Sequence, residues 1–229
     1  MKVCKFERMN NEDEVKQVIG CIQKEHPYVA VIPVLTQLQE WLQAISVSWF
    51  HEEDETSHTI VNAIEEYCRT LTDRLISDRK LNQDMKVQIE KCIEKIQVLV
   101  EDKADLLTDK IIKAEVYGLS NELFACCLRQ QGLRAQTLDT GKFMQINLER
   151  KPDIPYIKES VQQYISEKRD ADIFIAPLSL CKNVYGETDF MNEKRNDYYA
   201  TVLATAFGAD ELLLSTQINH IYANRNCRR

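Results

Sequence analysis

Arg195-Asn-Asp-Tyr-Tyr-Ala-Thr-Val-Leu-Ala-Thr-Ala-Phe-Gly-Ala-Asp-Glu-Leu-Leu-Leu214 is the stretch that decides how this chain is read. Asn196 can cap a helix, because its side-chain oxygen can accept an orphan backbone N–H. Asp197 follows in the first turn, where the helix dipole favours a carboxylate. Val202, Leu203, Ala206 and Phe207 recur at helical spacing, and Leu212, Leu213 and Leu214 form an apolar run of strand length. Gly208 suits the helix end between them. The stretch predicts a helix over 196–207 that feeds a buried strand over 211–215.

The same alternation extends outward to the N-terminus. Strands are predicted at Lys2–Phe6, Tyr28–Val34, Arg134–Leu138, Asp172–Pro177 and Glu211–Ser215, several of them continuous apolar runs that suit burial on both faces. Helices are predicted at Glu12–Lys24, Thr36–Ile45, Glu53–Ile76, Gln83–Glu101, Asp105–Gln131, Ile157–Lys168 and Asn196–Phe207. Strands alternating with helices imply an α/β fold, a three-layer αβα sandwich on a mostly parallel sheet with right-handed crossovers. The 53–131 segment reads as a largely helical insertion. Ile60, Ala63, Ile64, Tyr67, Cys68, Leu71 and Leu75 form one stripe, and Val87, Ile89, Ile93, Ile96, Leu99 and Val100 a second. Lys151-Pro-Asp-Ile-Pro155 is a local break, so residues 1–229 are read as one domain.

The 229 residues suffice for a large core, and 44% hydrophobic with 28% charged residues is a globular composition. A net charge of −7 argues against a nucleic-acid surface, which is normally basic. The apolar segments are too short to span a membrane. The eight cysteines are scattered without a C-x-x-C, which favours reduced thiols in a cytoplasmic protein over disulfides or a metal site. His26, His51 and His58 have no convergent acidic or thiol partners in the sequence, and His220 reads as a surface or loop residue.

Six segments, in order, carry a resemblance to the aspartokinase family of amino-acid kinases. Asn192-Glu-Lys-Arg-Asn-Asp-Tyr-Tyr-Ala-Thr-Val-Leu-Ala204 with Ala209-Asp-Glu211 is similar to the family's G-R-G-G-S-D-Y-S-A-A-x-L-A and A-D-E. Met1-Lys-Val-Cys-Lys-Phe6 resembles the opening M-K-V-x-K-F-G-G-T-S. Tyr28-Val-Ala-Val-Ile-Pro-Val-Leu-Thr36, Tyr117-Gly118-Leu-Ser-Asn-Glu-Leu123, Gly132-Leu-Arg-Ala-Gln-Thr-Leu-Asp139 and Asp172-Ile-Phe-Ile-Ala-Pro177 resemble four further family segments. The resemblance implies the amino-acid-kinase fold, a helical insertion, a homodimer, and phosphorylation of the aspartate side chain by ATP with Mg²⁺.

The resemblance keeps the framework and loses much of the chemistry. Lys5 matches the family's phosphate-contacting lysine and Asp197 an organising carboxylate, so these two are the candidate catalytic residues. Lys194, Arg195, Asn196 and Thr216 are the candidate substrate- and nucleotide-binding residues, and no metal site is assigned. Glu7 and Arg8 stand where the family has glycines that admit phosphate to the backbone. Leu119 stands where it has a substrate-binding Glu. Thr216-Gln-Ile-Asn-His220 replaces T-D-V-D-G, and only a few residues follow, so the C-terminal nucleotide segment and the regulatory domains are expected to be missing. These losses lean away from activity. The expectation is an aspartokinase-like protein, impaired or inactive, kept as a binding or assembly module with a small anionic ligand. The alternative is a divergent active aspartate kinase using ATP and Mg²⁺ in amino-acid biosynthesis.

Overall fold

Successive residues of each strand turn to opposite sides of one sheet, and the two sides are filled by different helices. The computed structural model describes every residue except 8, 103, 167, 169, 192–195, 218, 219 and 225–229. Its elements run β1 (Lys2–Lys5), α1 (Glu12–Glu25), β2 (Val29–Ile32), α2 (Thr36–Phe50), α3 (Asp54–Leu75), α4 (Arg79–Glu101) and α5 (Leu106–Arg129). After these come β3 (Ala135–Thr137), a 3₁₀ turn (Thr140–Lys142), α6 (Ile154–Ser166), β4 (Ile173–Pro177), β5 (Leu180–Lys182), β6 (Thr188–Phe190), α7 (Asn196–Ala206), β7 (Glu211–Gln217) and β8 (His220–Asn224).

The main sheet has the order β3-β4-β2-β1-β7-β8. The five strands from β3 to β7 are parallel, and β8 returns antiparallel on β7. Cys4, Ala30, Ile32, Ile173, Ile175 and Leu213 face a core built with α1 to α5. Val3, Val29, Val31, Phe174, Ala176 and Leu212 face a second core with α6 and α7. This is the expected three-layer αβα sandwich on a mostly parallel sheet.

Helix ends follow local chemistry. Asn11 accepts from the Glu14 N–H at 3.0 Å and starts α1, and Asp78 accepts from Leu81 N–H at 2.9 Å and starts α4. The last turn of α7 is closed by Gly208, whose φ of +65° suits a residue without a Cβ.

Several expectations need correction. The sequence reading gave no strand at β5, β6 or β8. The first two are three-residue strands that form a separate two-stranded sheet, too short for a periodicity signal. The predicted start of α4 at Gln83 lies four residues late, because Asp78 caps the chain at Arg79. The predicted end of α2 at Ile45 falls short of Phe50, because Ser48 and Trp49 still pack inward. Val87 is 36% exposed and does not belong to the buried stripe of α4; Met85 and Cys92 do. No described helix is long and apolar enough to cross a membrane.

Candidate functional site

In an open parallel sheet the ligand crevice lies beyond the carboxyl ends of the strands, near the point where the chain switches from one face to the other. Here β1 is followed by α1 in the first layer. Its neighbour β7 is preceded by α7 in the second. Lys5, the last residue of β1, sits at that switch.

The Lys5 side chain is 2% exposed, and a lysine is rarely buried so far unless it is paired. Its Nζ donates to Glu7 Oε1 at 2.6 Å and to Asp197 Oδ1 at 3.0 Å. The fold therefore brings the two candidate catalytic residues together from opposite ends of the chain. It also adds a third group that the sequence reading had treated only as an obstacle. Glu7 turns back onto the ammonium, so one cation faces two carboxylates. Asp197 lies in the first turn of α7, and its side chain is 64% exposed.

Asn196 is the first described residue of α7. Its Oδ1 accepts from Ser179 Oγ at 3.3 Å, a tertiary partner taking the oxygen expected to cap the helix. Lys194 and Arg195 lie outside the described residues. Thr216 lies in β7, and its side chain is outside the described part.

Two further residues shape this end of the sheet: Ser179, which the sequence reading did not single out, and Tyr117, which it gave only as part of a resembling segment. Ser179 is buried and holds φ at +71°, a left-handed conformation unusual for a side-chain-bearing residue. Such strain costs on the order of 1–3 kcal/mol and persists only where surroundings enforce it. The enforcing contacts are the Met191 N–H on the Ser179 carbonyl and the Asn196 side chain on its hydroxyl. Tyr117, from α5, shares a cavity of about 40 Å³ with Pro33, Gln39, Ser179 and Asn196. Leu119, where the resemblance locates a substrate carboxylate, is instead buried on the wall of another, larger cleft.

The support behind the site is rigid. Tyr199 of α7 is fully buried and donates its hydroxyl to the Leu180 carbonyl at 3.1 Å, and burial pushes its phenol pKa up. Asp189 of β6 is 3% exposed and meets Lys110 and Arg150, each at 3.1 Å. Burial works against its carboxylate. The Phe190 N–H and those two cations outweigh it and hold the pKa below the usual range. Among the described residues no group of three or more His, Cys, Asp and Glu is arranged to hold a metal ion.

No protein-family model matches this sequence, and no curated protein matches it. Solved structures do match. E. coli aspartokinase III in complex with lysine and aspartate, in its T-state, superposes with a TM-score of 0.80 at 21% identity over 95% of this chain and 49% of that one. The same enzyme with aspartate and ADP, in its R-state, gives 0.77 at 20% identity over 93% and 48%. Clostridium acetobutylicum aspartate kinase gives 0.70 at 11% identity over 93% and 46%. The fold is thus the αβα sandwich of the amino-acid kinases. Within that class it is the aspartokinase form of the fold that this chain shares, and the chain spans about half the length of those enzymes.

Proposed function

We propose that this chain is an aspartokinase-like protein whose phosphoryl transfer is lost or severely impaired, and that the fold is retained as a binding and assembly module in the cytoplasm. The observation that carries this reading is the Glu7–Lys5–Asp197 cluster. Phosphoryl transfer is mostly positioning and neutralisation of negative charge. A lysine that served it would present its ammonium to a phosphate. Here that ammonium already holds two carboxylates, and Glu7 occupies the turn where glycine would let the backbone approach. An incoming phosphate meets an excess of negative charge. Loss of a single preorganised electrostatic contact typically costs about a hundredfold in rate or more, and here several contacts are altered together.

The test is aspartyl-hydroxamate formation from ATP, Mg²⁺ and aspartate, with titration calorimetry of Mg-ATP alongside. No turnover above the uncatalysed background is expected, and no heat from Mg-ATP. Turnover that disappears in a folded Lys5→Met variant would overturn the proposal. It would make the protein a divergent kinase in which ATP and Mg²⁺ are bound and the Lys5–Asp197 pair is catalytic.

The assembly part of the proposal rests on the helical layer. Ser46 and Asp109 are hydrogen-bonded, and Trp49 Nε1 donates to the Asp102 carbonyl at 3.1 Å. These contacts bring the end of α2 beside the start of α5. Val47 (60%), Phe50 (43%) and Leu106 (71%) are exposed in this region, a grouping of apolar side chains that suits contact with a second copy. Light scattering at tens of micromolar is expected to give twice the 26.6 kDa chain mass. A Phe50→Glu/Leu106→Glu variant is expected to be monomeric. A monomeric wild-type chain at that concentration would remove the assembly role.

A further inference from the structure

We infer that the cleft between α4, α5 and the edge strand β3 is a binding site for a small organic molecule carrying a phosphate group. The cleft measures about 790 Å³, within the roughly 300–1,000 Å³ of small-molecule sites. It goes beyond the proposed module function and is separate from the β1 end, since Lys5, Glu7 and Asp197 do not line it.

The argument begins with charge. Three carboxylates line the cleft, and each has a cation beside it. Glu115 accepts from Lys95 at 2.6 Å, Glu122 is paired with Arg129, and Asp139 lies 3.7 Å from Lys142. Three further lysines remain. Lys168 donates to the Thr137 carbonyl at 3.2 Å and stands 5.1 Å from the centre of the Tyr164 ring. Lys91 and Lys182 have no carboxylate partner among the described residues. The cleft thus concentrates uncompensated positive charge on a chain of net charge −7.

A second observation is independent of charge. Asn121, on the cleft wall, is 2% exposed, and its Nδ2 has no hydrogen-bond acceptor. A buried amide donor left unmade costs about 1–3 kcal/mol, so it wants an acceptor that the protein does not supply. The Lys182 stem lies across Gly141, where a Cβ would meet Lys182 Cε at 3.5 Å and Asp139 Oδ1 at 3.3 Å. A bare backbone there gives the lysine its course along the cleft.

The donors are lysines and an amide rather than the planar fork of an arginine. Compact ammonium groups bind the oxygens of a phosphate as point charges. Leu119, Leu138 and the Tyr164 ring supply an apolar wall for the organic body.

Inorganic pyrophosphate is the probe. Titration calorimetry of the full chain in low salt is expected to show binding that weakens as salt is raised. Lys91→Ala/Lys182→Ala is expected to weaken it about tenfold or more. Lys16→Ala/Lys24→Ala removes the same charge from α1 and is expected to bind as the wild type does. Asn121→Leu is expected to weaken binding several-fold without lowering Tm, because it deletes an unsatisfied buried group; a purely structural asparagine would give a lower Tm and unchanged binding. Absence of pyrophosphate binding overturns the proposal, as does equal loss in both double variants. Tighter binding of citrate than of pyrophosphate overturns the phosphate class. Loss on Lys5→Met with Lys91→Ala/Lys182→Ala unchanged places the anion at the β1 end, which overturns this site and counts against the proposed loss of phosphate binding there.

Discussion

Phe174→Ala is expected to destabilise the protein by about 3–5 kcal/mol, the range for truncating a large buried aromatic. Phe174 is fully buried in β4 and packs edge-to-face on Tyr28, with ring centroids 5.3 Å apart. It belongs to the core under α6 and α7. Neighbours in a parallel sheet are held by backbone ladders on both sides, β4 pairing with β2 and β3. The strand therefore cannot move inward to fill the space, and the cavity persists. For a chain of this size each kcal/mol lowers Tm by about 2–4 °C, so the shift should be about 6–20 °C. Tyr185→Ala, at a residue 77% exposed, is expected to stay within about 0.5 kcal/mol. A Phe174→Ala shift as small as that of Tyr185→Ala would mean that β4 does not lie at the centre of a packed sheet.

The strands that could be read in advance are those buried on both faces. Val29-Ala-Val-Ile32 and Ile173-Phe-Ile-Ala-Pro177 are continuous apolar runs because two layers of helices cover them, and such runs stand out against amphipathic helices. β5 and β6 carry no such mark. Leu180-Cys-Lys182 alternates over only three residues, and it packs on β6 and on the 3₁₀ turn, the latter distant in sequence. The start of α1 at Glu12, which Asn11 caps, was legible; the start of α4, capped in the same way by Asp78, was placed four residues late. The start of α7 at Asn196 was legible as well, although the oxygen expected to cap it accepts from Ser179.

The site divides in the same way. Lys5 and Asp197 were legible as types at matching motif positions, and the packing of α7 against β1 brings them together. Glu7 was legible as a bulky acid in place of glycine, but its turn back onto Lys5 depends on how the chain leaves β1. Ser179 was not legible, because a serine at φ +71° carries no local signal and a glycine there would have marked the turn. The unpaired Nδ2 of Asn121 could not be seen either, since satisfaction of a polar group is a property of its surroundings and not of its sequence.

The cysteines give the second large expectation, an alkaline limit on stability. Five of the described cysteines (Cys4, Cys68, Cys92, Cys127 and Cys181) are buried thiols pushed up to about 12 from an ordinary 9.0, each chiefly by burial. Burial opposes the thiolate, so the folded chain keeps these protons after the unfolded chain has released them. The sign follows from the binding difference: stability is fully present below about pH 9 and falls as pH rises toward 12. One pH unit above the unfolded value is worth about 1.4 kcal/mol for each such thiol. Five thiols together approach about 7 kcal/mol per unit, comparable with the roughly 5–15 kcal/mol of total stability of an ordinary domain. Cooperative unfolding near about pH 10–11 is therefore expected, read by circular dichroism, with unfolded chains reacting rapidly with a thiol reagent. Replacing Cys68 and Cys92 by alanine should move the midpoint upward at matched stability in neutral buffer. Native circular dichroism persisting at pH 11.5 would show that the thiols are not held in a dry interior, and with it the two-core packing on either side of the sheet would fail.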